Sequence, residues 1–523
     1  MALGHTRWAT HGGVTGINAH PHLDCKGEIA VVHNGIIENY QDLREMLSKN
    51  GHKFESETDS EVFPHLVEEY LKLGFTEAVW KAFSMLHGRN AFVVFKPGQR
   101  FLIGLRSGSP LVVGVGKDEY FLASDVPAFI ADTRDVIYLE DNQAVVLKDD
   151  GHEVFDVASG RKINSKIEKV SWDISKSEKG KYEHFLLKEI LEQPEVILNA
   201  SHQDKAKIEQ LTKLLKDAFG SYLVACGTAS YAALYGTYIF SLVAKKHINF
   251  AVASEFENYQ HFITPKSLVF AVSQSGETAD ILDAVNVAKS RGAKTVAIVN
   301  VMGSTLERTA DYSFMTNAGP EIAVVSTKAF SAQLTVLFLL AHKMAGKLTE
   351  GQKLIEKTAH EIGYMLNSQF LEKVKKLAEK IGSKEHIYVI GKGQNFPIAL
   401  EAALKIKEAS YIHGEGFAAG ELKHGVITLI EKGTPCIVLF ANDNDRDYVL
   451  GNAMEMKARG GMIIGIGPDD NEVFDEFIKV PDIADCSALI NAPVVQLLGY
   501  YLGIFRGVDP DKPRNLAKSV TVK

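Results

Sequence analysis

The sequence has few cysteines, and they do not cluster. It contains four in 523 residues, with no CxxC spacing of the kind found in zinc sites and redox motifs: Cys25, Cys226, Cys436 and Cys486. Neither a disulfide framework nor a zinc site is predicted, and unpaired thiols are typical of a reducing compartment. His20 and His22 form an isolated HxH pair, for which a structural role is favoured, so the predicted metal content is none.

The sequence also lacks long hydrophobic runs and an excess of basic residues. Its longest apolar stretches, such as Leu334–Ala341, are far too short to span a bilayer. The first residues lack the basic and apolar regions of a signal peptide. A formal net charge of −8 at pH 7 argues against a surface dedicated to nucleic acid, although it permits a local basic pocket. We therefore expect a cytoplasmic protein that binds neither membranes nor nucleic acid.

The length is sufficient for about three domains. Residues 1–150 carry short β-type runs separated by glycine, asparagine and aspartate, with helical patterns at Asn39–Lys49 and Ser60–Tyr70. This indicates an α+β domain with mostly antiparallel strands. Over residues 151–205 the strand pattern stops, and we interpret this segment as a linker between domains.

Residues 206–350 change to a repeated order of apolar strand, glycine-bearing turn and helix, as in Tyr222–Ala225 followed by Gly227. The same order returns over residues 375–505, where His386–Ile390 precedes Gly391. The pattern predicts two copies of one doubly wound α/β fold, each with a parallel sheet. Residues 506–523 follow as a C-terminal tail.

The two copies differ at the turn after the second apolar strand. The first copy has Ser273-Gln274-Ser275-Gly276-Glu277-Thr278, whose hydroxyls and helix N-terminus suit a phosphate. The second has the acidic segment Ala441–Asp445, which would repel one. A capped helix without a ligand is the alternative interpretation of the first turn. A second hydroxyl set at Ser326–Lys328 favours a polar ligand in the first copy.

Eight motifs carry a family resemblance, in the order in which they occur in that family. They are GHTRWATH (Gly4–His11), NAHPH (Asn18–His22), HNGIIE (His33–Glu38), SETDSEV (Ser56–Val62), SQSGET (Ser273–Thr278), EIAVVSTKAF (Glu321–Phe330), EGFAAGELKHG (Glu415–Gly425) and PRNLAKSVTV (Pro513–Val522). With them the sequence closely resembles the glutamine–fructose-6-phosphate aminotransferase family, isomerizing enzymes that make glucosamine 6-phosphate for amino-sugar synthesis.

The resemblance covers nearly the whole chain. It implies two sugar-isomerase (SIS) domains after an N-terminal-nucleophile glutaminase domain. It also implies that ammonia from glutamine is transferred to fructose 6-phosphate, that the chain is a homodimer, and that no metal or organic cofactor is used.

The resemblance further implies a sugar-phosphate site. The residues expected to bind the sugar phosphate are Thr228, Ser273, Gln274, Ser275 and Thr278, with Val324 and Ser326 touching the sugar. After Thr228 the family pattern has a serine where this sequence has Ala229. If nothing replaces that hydroxyl, its loss costs about 1 kcal/mol of affinity.

Four further positions match catalytic residues of the family. Glu408 falls on the base that moves a proton between C1 and C2 of the sugar, and His424 on the position credited with ring opening. Lys518, in the tail, falls on the lysine that forms an imine with the open-chain ketose, and Lys405 on another lysine of that site. These residue types suit acid–base and covalent chemistry. Taken singly, Lys405 and Glu408 would form an exposed ion pair.

The first domain matches a glutamine pocket. There the resemblance implies that Arg7 binds the α-carboxylate and Asp59 the α-amino group of glutamine, with Thr10 and His11 lining the pocket. Asn34 and the N–H of Gly35 would form the oxyanion hole, and Trp8 would gate the ammonia channel.

The nucleophile of the family is a cysteine exposed as the mature N-terminal residue. This sequence reads Met1-Ala2-Leu3 before its first motif, so we expect a truncated glutaminase domain that is inactive in the chain as written. Two alternatives remain open. A non-catalytic phosphosugar sensor would not need Glu408, His424 and Lys518 together. A phosphosugar isomerase or deaminase that does not use glutamine would not need the glutaminase motifs.

Overall fold

Residues 1–170 and 178–521 are described by the computed structural model. They belong to two units. The first is Met1–Ser175 with the short segments Glu277–Ala279 and Ser519–Lys523, and the second is Lys176–Gly276 with Asp280–Lys518. Residues 171–177 of the predicted linker and residues 522–523 of the predicted tail lie outside the described residues.

In the part of the chain that the structure describes, the first unit consists of antiparallel strands and three α-helices. Its strands are β1 (His22–Leu23), β2 (Ala30–Gly35), β3 (Asn90–Phe95), β4 (Phe101–Ser107), β5 (Val112–Val115), β6 (Tyr120–Ala123), β7 (Asp135–Tyr138), β8 (Gln143–Lys148), β9 (Gly151–Asp156), β10 (Lys162–Ile163) and β11 (Glu168–Lys169). Its helices are α1 (Tyr40–Lys49), α2 (Val62–Tyr70) and α3 (Phe75–Phe83). One sheet has seven strands in the order β1-β2-β3-β4-β8-β9-β10, and the other has four in the order β11-β7-β5-β6.

The seven-stranded sheet is buried on both faces in its centre, and strand β3 shows why. Phe92 and Val94 face the core that contains helix α2, whereas Ala91 and Val93 face the core shared with Val113 of the smaller sheet. Successive side chains of a strand point to opposite faces, so one apolar strand serves two cores. The predicted α+β domain with mostly antiparallel strands is confirmed.

The strands do not stop at residue 150 as the sequence pattern suggested. Strands β9, β10 and β11 lie within the segment predicted as a linker, and they extend both sheets by antiparallel pairing. After residue 178 the same segment contains helices α4 (Phe185–Leu191) and α5 (Gln193–Ser201), whose Leu186, Ile190 and Ile197 are core residues of the second unit. Strands β10 and β11 have two residues each and are defined by their pairing rather than by their hydrophobicity, whereas β9 has six residues and contributes Val154 to a core.

The second unit contains two five-stranded parallel sheets. Its strands are β12 (Ser221–Ala225), β13 (Asn249–Val252), β14 (Leu268–Ser273), β15 (Lys294–Val299), β16 (Tyr312–Met315), β17 (His386–Gly391), β18 (His413–Ala418), β19 (Pro435–Leu439), β20 (Met462–Gly467) and β21 (Glu476–Lys479). Its other helices are α6 (Lys205–Asp217), α7 (Gly227–Ala244), α8 (Ala279–Ser290), α9 (Thr305–Thr309), α10 (Lys328–Met344), α11 (Leu348–Met365), α12 (Ser368–Ile381), α13 (Asn395–Ser410), α14 (Arg446–Lys457) and α15 (Ser487–Phe505).

The two sheets have the same topology. Their orders are β13-β12-β14-β15-β16 and β18-β17-β19-β20-β21, so in each sheet the first strand in the chain lies between the second and the third. All neighbours are parallel. The predicted duplication of a doubly wound fold is therefore confirmed. In this strand order the chain reverses direction across the sheet between the first and third strands, which is where open α/β sheets bind ligands.

Helix α15 is apolar along its whole length. By length and composition the segment Ala484–Phe505 could cross a membrane, but 83% of its most apolar window is buried inside the fold. It packs against α13 and α12, and its buried Gln496 accepts a hydrogen bond from Gln193 Nε2 at 2.7 Å. The apolar surface of this helix is thus accounted for by packing within the second unit.

Candidate active site

The hydroxyl-rich turn after β14 lies at the switch point of the first parallel sheet. Ser273 ends the strand, and its Oγ accepts the N–H of Gly276 at 3.0 Å. Gly276 has a φ of +68°, and a Cβ there would lie 2.3 Å from Ser304 Oγ. The turn can therefore close against the N-cap of α9 only with glycine at this position.

The other predicted phosphate ligands lie in this turn or at the start of the helix that follows the neighbouring strand. Gln274 and Ser275 are half-buried, and Thr278 directly precedes α8 in the segment that is grouped with the first unit. Thr228 is the second residue of α7, which starts immediately after β12. Since β12 and β14 are adjacent and parallel, their carboxyl ends lie at the same edge of the sheet. Ala229 packs against the apolar core.

Glu321 organises the second predicted hydroxyl segment. Its carboxylate is fully buried and accepts the N–H groups of Thr327 at 2.9 Å and Ala329 at 3.0 Å. The other oxygen accepts the hydroxyl of Ser326 at 2.9 Å. The sequence analysis gave Glu321 no role of its own, although it is the first residue of the motif EIAVVSTKAF.

Lys518 lies beside this segment. Its Nζ donates to Glu321 Oε2 and to the carbonyl of Ala323, both at 2.7 Å. The tail is anchored by Asp511, whose carboxylate accepts the N–H groups of Phe185 and Leu186 and whose carbonyl accepts the N–H of Val324. The irregular tail thus brings a lysine to the residues predicted to touch the sugar.

The two buried carboxyl groups near Lys518, those of Glu321 and Glu189, have different pKa values. Burial tends to raise the pKa of Glu321, but the charge and hydrogen bond of Lys518 and the backbone N–H groups of Ala329 and Thr327 lower it to about 2. Burial, together with the negative charge of Glu321, raises the pKa of Glu189 to about 8. At neutral pH the carboxylate that faces Lys518 is therefore that of Glu321.

Helix α13 supplies a second lysine–carboxylate group. Lys405 Nζ forms an ion pair with Glu408 and lies 3.6 Å from Glu401 Oε1. Lys405 is only 1% exposed, so this is a buried pair and not the exposed one considered from the sequence. Burial lowers the pKa of Lys405, but the carboxylates of Glu401 and Glu408 raise it above its ordinary value. Burial raises the pKa of Glu401 to about 8, which favours its protonated form.

These groups of the second unit are close enough to influence one another. The negative charge of Glu321 contributes to the raised pKa of Lys405, and the hydroxyl of Thr228 opposes the raised pKa of Glu401. Helix α13 packs against α7, whose second residue is the predicted phosphate ligand Thr228. The structure therefore brings together Thr228, Glu321, Lys405 and Glu408, and Lys518 through Glu321.

His424, predicted for ring opening, is not part of this group, and neither is His413, a histidine of the second parallel sheet. His424 is exposed at the end of the 3-10 helix Ala419–His424. His413 is exposed at the start of β18, with its Nδ1 3.2 Å from His386 Nδ1.

The first unit contains a cavity of about 60 Å³ that matches the predicted glutamine pocket. All seven residues predicted for glutamine binding and ammonia gating line this cavity, together with other residues of the family motifs that were not predicted for the pocket. The predicted residues are Arg7, Trp8, Thr10, His11, Asn34, Gly35 and Asp59, and the additional ones include His5, His20, His33, Thr58, Ser60 and Thr521. Among the residues described, no cysteine lines this cavity.

The walls of the cavity are held by hydrogen bonds. Asp59 is buried and accepts the N–H of Ile37 at 2.8 Å, and its other oxygen lies 3.6 Å from His11 Nδ1. The guanidinium of Arg7 donates to the carbonyls of His11 and Gly13, both at 2.9 Å. In this conformation the side chain of Arg7 holds the backbone of residues 11–13.

Gly35 occupies a place where no side chain fits. Its φ is +143°, and a Cβ would lie 2.1 Å from the carbonyl oxygen of Arg89. Asn34 accepts a hydrogen bond from His5 at 2.7 Å. The Asn-Gly pair is therefore rigidly placed at the end of β2, as a preorganised hydrogen-bond donor requires.

Family models match both units. The SIS domain matches residues 214–343 and 380–502, and a glutamine amidotransferase domain matches residues 6–131. A glutamine–fructose-6-phosphate aminotransferase (isomerizing) of Thermococcus kodakarensis is 44% identical over 534 aligned residues, which cover 100% of this chain and 89% of that protein. The chain belongs to the glutamine–fructose-6-phosphate aminotransferase family. The corresponding protein of Thermotoga maritima is 42% identical with the same coverage.

Solved structures agree with this family assignment. The C-terminal domain of the aminotransferase from Francisella tularensis covers 64% of this chain and 100% of its own, with a TM-score of 0.60 and 33% identity. A glucosamine-6-phosphate deaminase from Thermotoga maritima covers 65% of this chain with a TM-score of 0.52 and 28% identity. The aminotransferase domain and the deaminase thus both resemble the part of this chain that contains the two parallel sheets. The glutamine amidotransferase domain matched at residues 6–131 is a further feature of this chain.

Proposed function

We propose that the chain converts fructose 6-phosphate and a nitrogen donor into glucosamine 6-phosphate. The main support is the position of Lys518, whose amine is held 2.7 Å from both Glu321 and the carbonyl of Ala323 next to two hydroxyl-lined turns. An amine at this place can capture the ketone of a sugar whose phosphate occupies the turn after β14. Membership of the family supports the same reaction.

In this proposal the helix N-termini and hydroxyls of Thr228, Ser273, Ser275 and Thr278, with Gln274, bind the phosphate. Val324 and Ser326 contact the sugar. Ser326 donates to Glu321 at 2.9 Å, and its hydroxyl oxygen can still accept a hydrogen bond from a sugar hydroxyl.

Ammonia displaces the Lys518 amine from the imine carbon C2, and Glu408 then moves the proton from C1 to C2 of the resulting ammonia-derived imine, which gives the amino sugar. The side chain of Glu408 is 20% exposed, whereas those of Glu401 and Lys405 are almost completely buried, so among these three it has the best access to a substrate. The role of Lys405 is to position the Glu408 carboxylate, with which it forms an ion pair.

Ring opening is assigned to His424, acting in a cytoplasmic homodimer. His413 and His424 are exposed in the single chain, which supports contributions across a subunit interface. Light scattering of the active protein tests the dimer, and an active monomer would contradict it.

The cavity of the first unit is proposed to bind glutamine, with Asp59 at its α-amino group, Arg7 at its carboxylate, and Asn34 and Gly35 as oxyanion donors. Because no described cysteine lines this cavity, the 523-residue chain is proposed to bind glutamine without hydrolysing it. Trp8 is assigned as the gate of the ammonia channel, and Thr10 and His11 are assigned as lining residues of the pocket.

A turnover assay tests the proposed function. Purified chain is incubated with fructose 6-phosphate and either ammonium or glutamine, and glucosamine 6-phosphate, glucose 6-phosphate and glutamate are measured. We expect glucosamine 6-phosphate with ammonium and no glutamate release with glutamine. Sugar-phosphate binding without any product would favour a sensor, whereas glucose 6-phosphate as the sole product would favour an isomerase.

Substitution of Ser275 by alanine is expected to weaken fructose 6-phosphate binding by roughly 10- to 150-fold. A hydrogen bond to a charged phosphate contributes about 1.5–3 kcal/mol. Calorimetry with fructose 6-phosphate and with fructose measures the effect, which we expect only for the phosphorylated sugar. Ser290→Ala, at the exposed C-terminal end of α8, is the matched control. Equal losses for both sugars would show that the phosphate binds elsewhere.

A further inference from the structure

Four side chains that are dispersed in the sequence converge in the first unit. They are Cys25 after β1, His52 after α1, and His65 and Glu68 on α2, and their nearest nitrogen, sulfur and oxygen atoms all lie within 4.8 Å of one another. The side chains of His52, His65 and Glu68 are largely buried, at 8%, 1% and 11% exposure. Cys25 is exposed, which leaves the group open to solvent on one side.

The distances match the edges of a tetrahedron around a metal ion. The two Nδ1 atoms of His52 and His65 are 3.4 Å apart, and Cys25 Sγ lies 3.5 Å and 3.4 Å from them. Glu68 Oε2 lies 3.3 Å from His52 Nδ1 and 3.8 Å from His65 Nδ1. For tetrahedral Zn²⁺, with bond lengths of about 2.0–2.3 Å, the expected edges are about 3.3–3.6 Å.

The outer nitrogens of both histidines face carboxylates. His52 Nε2 lies 3.0 Å from Glu69 Oε2, and His65 Nε2 lies 3.6 Å from Glu61 Oε1. A carboxylate accepts but does not donate hydrogen bonds, so a neutral His52 carries its proton on Nε2, whereas the 3.6 Å contact of His65 Nε2 is too long for a hydrogen bond. Metal-binding histidines typically have this arrangement, in which a carboxylate fixes the tautomer of the ligand.

With its proton on Nε2, His52 presents a lone pair on Nδ1, and His65 Nδ1 lies 3.4 Å and Glu68 Oε2 3.3 Å from that atom. Two acceptors cannot form a hydrogen bond with each other, and the Cys25 thiol supplies only one weak donor. A cation at the centre satisfies all four groups at once.

We propose that Cys25, His52, His65 and Glu68 bind one Zn²⁺ ion. One thiolate, two imidazoles and one carboxylate form a ligand set that binds Zn²⁺ in preference to the hard cations Mg²⁺ and Ca²⁺. Four protein ligands fill a tetrahedral site, so the ion has a structural role. The sequence analysis predicted no metal because the ligands have none of the close CxxC or HxxxH spacings on which such predictions depend.

The ion has a specific place in the fold. It joins the turn after β1 and His52, in the segment that follows α1, to helix α2. Glu61, which faces His65, also accepts the N–H groups of Glu55 and Ser56 at 2.7 Å and 2.8 Å. This segment leads directly to Thr58, Asp59 and Ser60, which line the cavity. The metal therefore stabilises the wall of the proposed glutamine pocket from behind, but its binding does not depend on that function.

The test uses the full chain after treatment with a chelator. It is titrated with Zn²⁺ by calorimetry and with Co²⁺ by absorption spectroscopy. We expect one equivalent of metal per chain, the visible bands of tetrahedral cobalt, and a thiolate-to-cobalt charge-transfer band in the near ultraviolet. Cys25→Ser, an exposed and conservative change, should remove the charge-transfer band and stoichiometric zinc binding, with the fold checked by circular dichroism.

A second pair of variants examines the outer carboxylate. Glu69→Gln should weaken zinc binding by about 10- to 100-fold while keeping the charge-transfer band, since only the partner of His52 is lost. Glu45→Gln, on the exposed face of α1, and His87→Ala, an exposed histidine of the same unit, are the matched controls and should bind zinc like the unmodified chain. No stoichiometric binding by the unmodified chain would overturn the proposal. Binding that survives both Cys25→Ser and His65→Ala would place the ion elsewhere and would overturn it equally.

Discussion

Replacing Glu408 with glutamine is expected to lower the rate of aldose formation from fructose 6-phosphate by about 10²–10⁴, the usual contribution of a general base. Glutamine keeps the size of the side chain but cannot accept the proton that must leave C1 of the imine. The affinity for fructose 6-phosphate should change only several-fold, because the phosphate ligands belong to other elements. Single-turnover rates with ammonium and calorimetric affinities provide the two measurements.

Helix α13 offers a matched control for this change. Glu401 flanks the same lysine on the other side and is completely buried, and burial raises its pKa to about 8. Near pH 7 its carboxyl is mostly protonated, so the neutral amide of Glu401→Gln is a close replacement. We expect this variant to retain most of the activity. If both variants lost activity equally, the loss would reflect damage to the buried charge cluster, and the assignment of Glu408 as the base would fail.

Contacts between residues that are close together in the chain were predictable from the sequence, whereas contacts between residues far apart in the chain were not. The seven residues predicted for the glutamine pocket line one cavity, and they belong to compact motifs before β1, at the end of β2 and before α2. The duplication was also predictable, since each copy repeats the local order of strand, glycine turn and helix.

Contacts between distant residues were not predictable in this way. Lys518 meets Glu321 across 197 positions, and the carboxylate of Asp511 meets Phe185 across 326. Neither pair leaves a periodic or spaced signal, because the spacing depends on the whole fold between them. The same applies to the cluster of Cys25, His52, His65 and Glu68, of which only His65 and Glu68 share a helix face. Short strands such as β10 and β11 are defined by pairing alone, and single-sequence patterns do not record pairing.

Replacing Lys518 with methionine is expected to abolish formation of glucosamine 6-phosphate and of any aldose, because no amine remains at this position to capture the ketone. The change also leaves the buried carboxylate of Glu321 without its cation. Breaking a buried ion pair by removing one partner costs up to about 3–5 kcal/mol of stability, so a loss of activity alone would be ambiguous. The free energy of unfolding of this variant must be measured beside its turnover.

A double variant separates the two effects. In Lys518→Met combined with Glu321→Gln, the amide of glutamine is neutral and can still accept the N–H groups of Thr327 and Ala329, which Glu321 accepts at 2.9 Å and 3.0 Å. Removing both charges should recover much of the lost stability, because the desolvated carboxylate is gone. It should not recover turnover, because the nucleophilic amine is still absent.

Chemical trapping completes the case for Lys518. Borohydride reduces an imine to a stable secondary amine, so the unmodified chain incubated with fructose 6-phosphate should acquire one sugar phosphate on the peptide that contains Lys518. Lys405 is the nearest alternative, but it is 1% exposed and its pKa is raised by two carboxylates, so at neutral pH it remains a protonated, non-nucleophilic ammonium. Lys518 also pairs with a carboxylate, but its side chain is 26% exposed, which gives it the access to a substrate that Lys405 lacks. Labelling of Lys405, or full turnover by Lys518→Met, would transfer the covalent step to another amine.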